Sequence, residues 1–335
     1  MTLTSDFAPN PTQAEVLAEV EPQVEKLMQR HLDTRKLWFP NDFLPADEVM
    51  TQAQEDDLKS LPERARGMPD PVRVSLALNL LTEEGLPHFH RLVAVYMGAD
   101  NAWQRWNYMW TAEEDRHGIA LHDYVRGARL FDMGAFEKLQ YQYLESGFNP
   151  VWNGDPYKLL AYTSLQERAT QAAHAATARV AGRHEPLLQT IISRISGDES
   201  RHYRFYRDAF KAVLEIDPTR ALQAALEIAP NLAMPGHSIA GYMEMADVVR
   251  RAGLYGPQDY RKIVIELLEY WDIEHIEPPD AAGREARDKL LAIPRRLQRL
   301  ADLLEKRTNP KTFSFDIVYN RSFELMLDGR EGATG

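Results

Sequence analysis

Two short segments of the chain repeat one pattern of ionisable residues. Glu113-Glu114-Asp115-Arg116-His117 and Asp198-Glu199-Ser200-Arg201-His202 both read acid-Glu-x-Arg-His. Each follows a further glutamate at nearly the same distance: Glu83 lies 31 residues before Glu114, and Glu167 lies 32 before Glu199. A Glu and a His three apart share one helix face and can reach one metal region together. Two such helices, with one Glu from each of two others, supply the ligand set of carboxylate-bridged two-iron bundles. Carboxylate and imidazole donors suit iron and leave open positions for dioxygen. The candidate ligands are Glu83, Glu114, His117, Glu167, Glu199 and His202, and the candidate cofactor is a pair of iron ions.

The bare Glu-x-x-His motif is a weak signal; the surrounding pattern carries more. Trp103, Trp110, Glu114, His117, Leu121 and Tyr124 follow helical spacing, as do Leu188, Ile192, Ile195, Glu199, His202 and Tyr206. A Glu and a His inside an apolar stripe point into a core. Glu83 aligns with Leu76, Leu80, Pro87 and His90. Buried carboxylates cost several kcal/mol each unless paired, protonated or metal-bound. The competing reading is that some face solvent or pair with Arg116, Arg168 and Arg201. Glu113 and Asp198 stand one residue before a candidate ligand. Since a metal-bound His commonly donates its other ring N–H to a carboxylate, Asp198 is expected to serve His117, and Glu113 His202. Around Glu167 the face is Leu160, Thr163, Ser164, Thr170, His174 and Thr177. Thr170, one turn beyond Glu167, is placed to donate a proton to a bound oxygen species; a bond to its own helix carbonyl is the plainer alternative.

These residues need long helices to hold them. Ala, Leu, Glu, Gln and Arg fill the periodic segments, so the chain reads as all-α. Breakers fall at Pro40–Pro45, Gly67–Pro71, Gly147–Pro156, Pro235-Gly236 and Pro278-Pro279. The spacing predicts a core bundle over about 70–215, extra helices and tail over about 216–335, and one domain spanning 1–335. A long connection separates His117 from Glu167. Phe313 to Tyr319 alternates, predicting a strand of a short C-terminal hairpin.

With 335 residues and 44% hydrophobic content the chain can bury a large core. It has no cysteine, which excludes disulfides and thiolate metal sites. The net charge of −11 argues against general nucleic-acid binding. No apolar run reaches the roughly 20 residues of a membrane span, and Met1 to Glu25 does not read as a leader.

Thr111-Ala112-Glu113-Glu114-Asp115-Arg116-His117-Gly118, Thr163-Ser164-Leu165-Gln166-Glu167-Arg168-Ala169-Thr170 and Asp198-Glu199-Ser200-Arg201-His202 resemble the soluble acyl-acyl-carrier-protein desaturases of plant plastids and actinobacteria. So do Trp38 through Phe43-Leu44-Pro45, Thr82-Glu83-Glu84-Gly85-Leu86-Pro87, Met234-Pro235-Gly236-His237 and Ile293-Pro294-Arg295-Arg296-Leu297. The likeness runs nearly the whole chain from about residue 20. It departs at Gln171, aromatic in the plant enzymes, and in a shorter connection between Glu83 and Glu114.

The resemblance implies a ferritin-like four-helix di-iron bundle and a homodimer. It implies an enzyme that uses dioxygen and ferredoxin electrons to insert a cis double bond into a saturated chain carried by acyl carrier protein, in fatty acid biosynthesis. It carries over the six ligands and suggests an electron-entry relay of Trp38, Asp198 and His117, with Trp38 expected at the surface above Asp198. The compartment would be bacterial cytoplasm, or plastid stroma once a transit peptide is removed. Carrier proteins of this kind are acidic, so docking needs a local basic patch: Arg204, Arg207 and Lys211 first, then Arg295, Arg296 and Arg299. The rival readings are another di-iron oxidase or hydroxylase on the same bundle, and a metal-binding bundle without turnover.

Overall fold

The computed structural model describes residues 11–230, 232, 235–306, 309–315 and 322–325. Helices α1 (Pro11–Thr34), α2 (Gln52–Arg66), α3 (Asp70–Glu83), α4 (Leu86–Met97), α5 (Ala102–Ala128), α6 (Met133–Ser146), α7 (Pro156–Ala181) and α8 (Pro186–Ile216) come first. They are followed by α9 (Pro218–Ile228), α10 (Tyr242–Arg251), α11 (Pro257–Tyr270), α12 (Ala281–Leu291) and α13 (Ile293–Lys306). Strands β1 (Lys311–Ser314) and β2 (Ser322–Leu325) close an antiparallel hairpin in which Phe313 pairs with Phe323. Residues 316–321, which include the second half of the alternating stretch, and Met234 lie outside the described residues. Among the described residues no helix is long and apolar enough to cross a membrane.

The ligand-bearing helices are α3, α5, α7 and α8, and a side chain fixes the start of the last three. Asn101 accepts from Gln104 N at 2.9 Å at the head of α5. Asp155 takes the amides of Tyr157 and Lys158 at the head of α7. Glu185 takes the amide of Leu188 at the head of α8. These are the free N–H groups that a helix start leaves for a side chain to satisfy. Proline at the first position of α7 and α8 adds the right φ without losing a bond. The short link after Gly182 folds α8 back antiparallel on α7, so Glu167 and Glu199 fall at one level.

The stripes on α5 and α8 are buried from end to end. The stripe drawn through Glu83 needs correction beyond that residue. Helix α3 ends at Glu83, and α4 begins only at Leu86. Pro87 is therefore exposed and His90 is half-buried. The chain turns at Gly85, where a Cβ would come within 2.3 Å of the Tyr143 hydroxyl and 2.9 Å of the Thr82 carbonyl oxygen. Only glycine fits so close an approach.

The buried hydrophobic residues form two bodies. One gathers the first half of α5, the first part of α7 and the end of α8 with α1, α4, α9, α11 and α12, around Trp103, Trp106, Tyr162 and Phe210. The other gathers the end of α5 and the start of α8 with α2, α3, α6 and α10, around Tyr124, Phe136, Leu188 and Ile192. Between them the interior turns polar: Glu113, Glu114 and His117 on α5, Glu167 and His174 on α7, and Asp198, Glu199 and His202 on α8 are all buried.

Candidate metal centre

The six expected ligands meet in this polar layer as two overlapping groups. Ligand atoms of Glu83, Glu114, His117 and Glu199 lie within 4.8 Å of one another, and so do those of Glu114, Glu167, Glu199 and His202. Glu114 and Glu199 belong to both. His117 Nδ1 lies 3.2 Å from Glu114, 3.3 Å from Glu199 and 3.7 Å from Glu83. His202 Nδ1 lies 2.7 Å from Glu114 and 3.8 Å from Glu167. A bridging carboxylate between two metal positions needs this shared membership.

The arginines do not neutralise this cluster. Arg116 donates to Asp198 at 3.2 Å, Arg201 also pairs with Asp198, and Arg168 turns outward to Glu266 at 2.9 Å. Glu199 Oε2 and both oxygens of Glu167 are buried without a hydrogen-bond partner, and Glu114 Oε1 meets only Nδ1 of His202. Unpartnered buried polar atoms of this kind are costly, and so many converging on one point call for a cation.

The electrostatics agree. Burial, followed by the charges of Glu199 and Glu114, drives the Glu167 carboxyl well above the usual range. Burial and then Glu114 raise Glu199 as well. Burial also opposes charge on Glu114, but His117 and His202 reverse it and hold that carboxyl low. Burial would keep His202 neutral, yet Glu114 and Glu113 push it up to about 10. The same balance, led by Glu114 and Asp198, raises His117. A divalent cation at the Nδ1 atoms supplies that positive charge without protonating the ligands. The donor set of carboxylates and imidazoles fits two iron ions.

The outer nitrogens of the two imidazoles are both engaged. His117 Nε2 lies 3.2 Å from Asp198 Oδ2, and His202 Nε2 lies 3.0 Å from Glu113 Oε2. Each acid thus serves the opposite helix, which turns both Nδ1 atoms toward the carboxylates. Trp38 donates its indole N–H to Asp198 at 2.8 Å. Its expected surface position is corrected: Trp38 is 4% exposed, because the Arg116 guanidinium lies 5.0 Å over its ring and Phe43 packs at its edge.

Sequence reasoning missed two histidines. His31 on α1 reaches both oxygens of Glu113, at 3.1 and 3.0 Å, and stacks on His202 with ring centroids 5.7 Å apart. It ends a buried stripe of Val20, Val24 and Leu27, the same signal that marked His117 and His202. His174 was placed on the face of Glu167 without a role; its Nε2 lies 2.7 Å from Glu83 Oε1.

Thr170 is half-buried and accepts from Gln166 Nε2 at 3.1 Å. Together with Thr82 it borders two spaces. A small one lies against Glu83, Glu114 and Glu199, bounded by Leu86, Phe89 and Trp110. A cavity of about 600 Å³ runs outward between α3 and α7 under α10, α11 and α13. The three α8 cations do not form a free basic face. Arg207 stacks 3.7 Å over Tyr270 and pairs with Asp208, and Lys211 donates to the Tyr270 carbonyl. Arg204 alone of the three is exposed.

The sequence pattern of the family described as Fatty acid desaturase matches residues 12–319. The chain belongs to the acyl-acyl-carrier-protein desaturase family. It is 32% identical over 302 residues to a Mycobacterium tuberculosis protein named acyl-[acyl-carrier-protein] desaturase DesA1, covering 88% of each chain. It is 32% identical over 333 residues to the seed-specific chloroplastic stearoyl-[acyl-carrier-protein] 9-desaturase of Brassica napus, covering 94% of this chain and 83% of that one. The X-ray structure of the acyl-ACP desaturase DesA2 from M. tuberculosis superposes with a TM-score of 0.59 at 25% identity, covering 81% of this chain and 99% of that one. The desaturase fold is thus a helical bundle of the ferritin-like kind, and the chain is an oxidoreductase of that family.

Proposed function

We propose that this desaturase inserts a cis double bond into a saturated acyl chain held on acyl carrier protein, using dioxygen and two electrons from ferredoxin, in fatty acid biosynthesis. The observation that carries the reading is the junction at Thr82 and Thr170. There, the small space against Glu83, Glu114 and Glu199 adjoins a largely apolar cavity, the two sharing Thr82 and Thr170 as lining. An unactivated methylene offers no acidic proton, so acid–base side chains alone cannot attack it. A bound iron pair supplies the oxidising chemistry that removes hydrogen from such a carbon.

The chain's own residues supply the rest. Glu83, His117, Glu167 and His202 would hold the two ions from opposite sides, with Glu114 and Glu199 between them. Asp198 and Glu113 orient the imidazoles. Leu86, Phe89 and Trp110 keep water from the small space, and the acyl chain reaches it past Ala169 and Ala173, whose small side chains leave room on α7. Thr170 offers a hydroxyl proton at the junction. Trp38 and Asp198 give electrons a bonded route to His117, and the family reading adds a homodimer. Carrier protein docks at the cavity mouth, where Leu300 of α13 is exposed beside Arg296. Arg295, Arg296 and Arg299 are all exposed, which favours them over Arg207 and Lys211. The compartment follows the source, cytoplasm in a bacterium or stroma in a plastid.

Mass spectrometry of products from a panel of acylated carrier proteins, with reduced ferredoxin, tests the proposal. Products lighter by two hydrogens are expected. Products that gain an oxygen would establish a hydroxylase on the same centre, and full iron with no acyl turnover would establish a metal-binding bundle.

A further inference from the structure

The two metal positions differ at their outer glutamates. Glu167 has neither oxygen in a hydrogen bond. Glu83 has Oε1 bonded to His174 Nε2 at 2.7 Å, and Oε2 faces His117 Nδ1 at 3.7 Å. His174 is itself braced, since Asn79 Nδ2 lies 3.3 Å from its Nδ1. An amide nitrogen can only donate, so His174 Nδ1 accepts and the ring proton sits on Nε2, directed at Glu83. His174 is 1% exposed and Asn79 8%, and one turn further along, Ser75 and Thr177 bond across the same α3–α7 seam at 2.8 Å. The seam is a polar ladder that ends on a candidate ligand.

We infer that His174 is a positioning residue that withholds one oxygen of Glu83 from the metal and fixes the other toward it, so that the two metal positions are inequivalent. The inference rests on the two-metal reading given above. The position served by Glu83 and His117 has an outer carboxylate held in place before metal arrives. The position served by Glu167 and His202 has one free to swing or to bind through both oxygens. A hydrogen-bonded partner of a ligand is typically worth about 10–100-fold in metal affinity, and here that worth falls on one position only.

Anaerobic titration of the metal-depleted full chain with Fe(II), and in parallel with Co(II) as a spectroscopic probe, reads this directly without turnover. The wild type is expected to bind two ions. His174→Ala should bind one ion as the wild type does and the second about 10–100-fold more weakly. His174→Gln, whose amide can still donate to Glu83, should recover most of the loss and covers the case in which the alanine variant folds poorly. Asn79→Ala, which leaves His174 present but unbraced, should show the same sign in smaller size. Adding His174→Ala to Glu83→Ala should cost little more, since the oxygen it positions is already gone, whereas adding it to Glu167→Ala should weaken the remaining position as well. Wild-type binding of both ions by His174→Ala, or equal weakening of both, overturns the inference. A wild-type chain that binds fewer than two ions overturns the two-metal reading and this inference with it.

Discussion

The rings of Trp38 and His117 are near parallel, their centroids 6.0 Å apart and their planes 4° from parallel, and both direct a ring nitrogen at the same Asp198 oxygen. Trp38 is therefore tied to a candidate ligand through Asp198. Trp38→Phe keeps the ring and removes the N–H. Its iron content should match the wild type, and reduction by ferredoxin should slow roughly 10–100-fold, the usual cost of disturbing a ligand's bonded partner. Reduction by dithionite should be unchanged. Stopped-flow reduction with the two donors checks this, and equal slowing with both would mean that Trp38 only packs.

Glu114 and Glu199 belong to both ligand groups, and Glu83 and Glu167 to one each. Glu114→Ala or Glu199→Ala should thus remove most iron from both positions and abolish desaturation. Glu83→Ala or Glu167→Ala should leave close to half the iron. Metal analysis per chain decides it, and full iron in the Glu114 and Glu199 variants would remove them from the ligand set.

Thr170→Val keeps the shape and removes the hydroxyl at the junction of the two spaces. Iron content and folding should hold, while product formation falls by about 10²–10⁴, the usual weight of a positioned proton donor. Undiminished turnover would reduce Thr170 to a wall residue.

Charge reversal of Arg296 and Arg299 to Glu should raise KM for acyl-carrier-protein substrates at low salt. The gap to wild type should narrow as ionic strength rises, because the attraction being lost is itself screened beyond about 8 Å at 0.15 M. Reversal of Arg204 should do less. The opposite ranking, read from steady-state kinetics, would return the dock to α8.

Asp208 ties three helices together. It accepts from Tyr270 at 2.6 Å, Arg30 at 2.6 Å and Arg207 at 2.9 Å. Burial works against its charge, but these donors prevail and hold its carboxyl below the usual range. A depressed folded value means the unfolded chain takes up the proton first. The stabilisation is therefore complete above the ordinary aspartate value and is lost as pH falls through the folded value. Asp208→Asn should lower stability by about 1–3 kcal/mol near neutral pH. Denaturant melts of the two proteins should converge on acidification.

The ligand layer is largely legible in the sequence, because steps of three, four and seven along a helix fall on one face in space. The same rule stopped at Glu83, where it counted on into Pro87 and His90; the turn at Gly85 depends on Tyr143 arriving from α6. His31 carried the right stripe, but its partner Glu113 lies 82 residues away and no local pattern links them. Trp38 reads as a loop aromatic until Arg116 and Phe43 close over it. Arg207 and Lys211 read as a solvated face until Tyr270 comes up from α11. Each of these departures was decided by a side chain brought from a distant helix.

The polar layer between the two hydrophobic bodies has a consequence for how the molecule melts. Each body is continuous within itself, but across the layer the long helices α5, α7 and α8 pass through a level of mutually repelling carboxylates. With metal bound, that level is a rivet, and heat should unfold the whole bundle in one cooperative step. Stripped of metal, the same level becomes a fault line, and calorimetry should show a transition enthalpy larger than its van't Hoff counterpart, the mark of two halves that no longer melt as one.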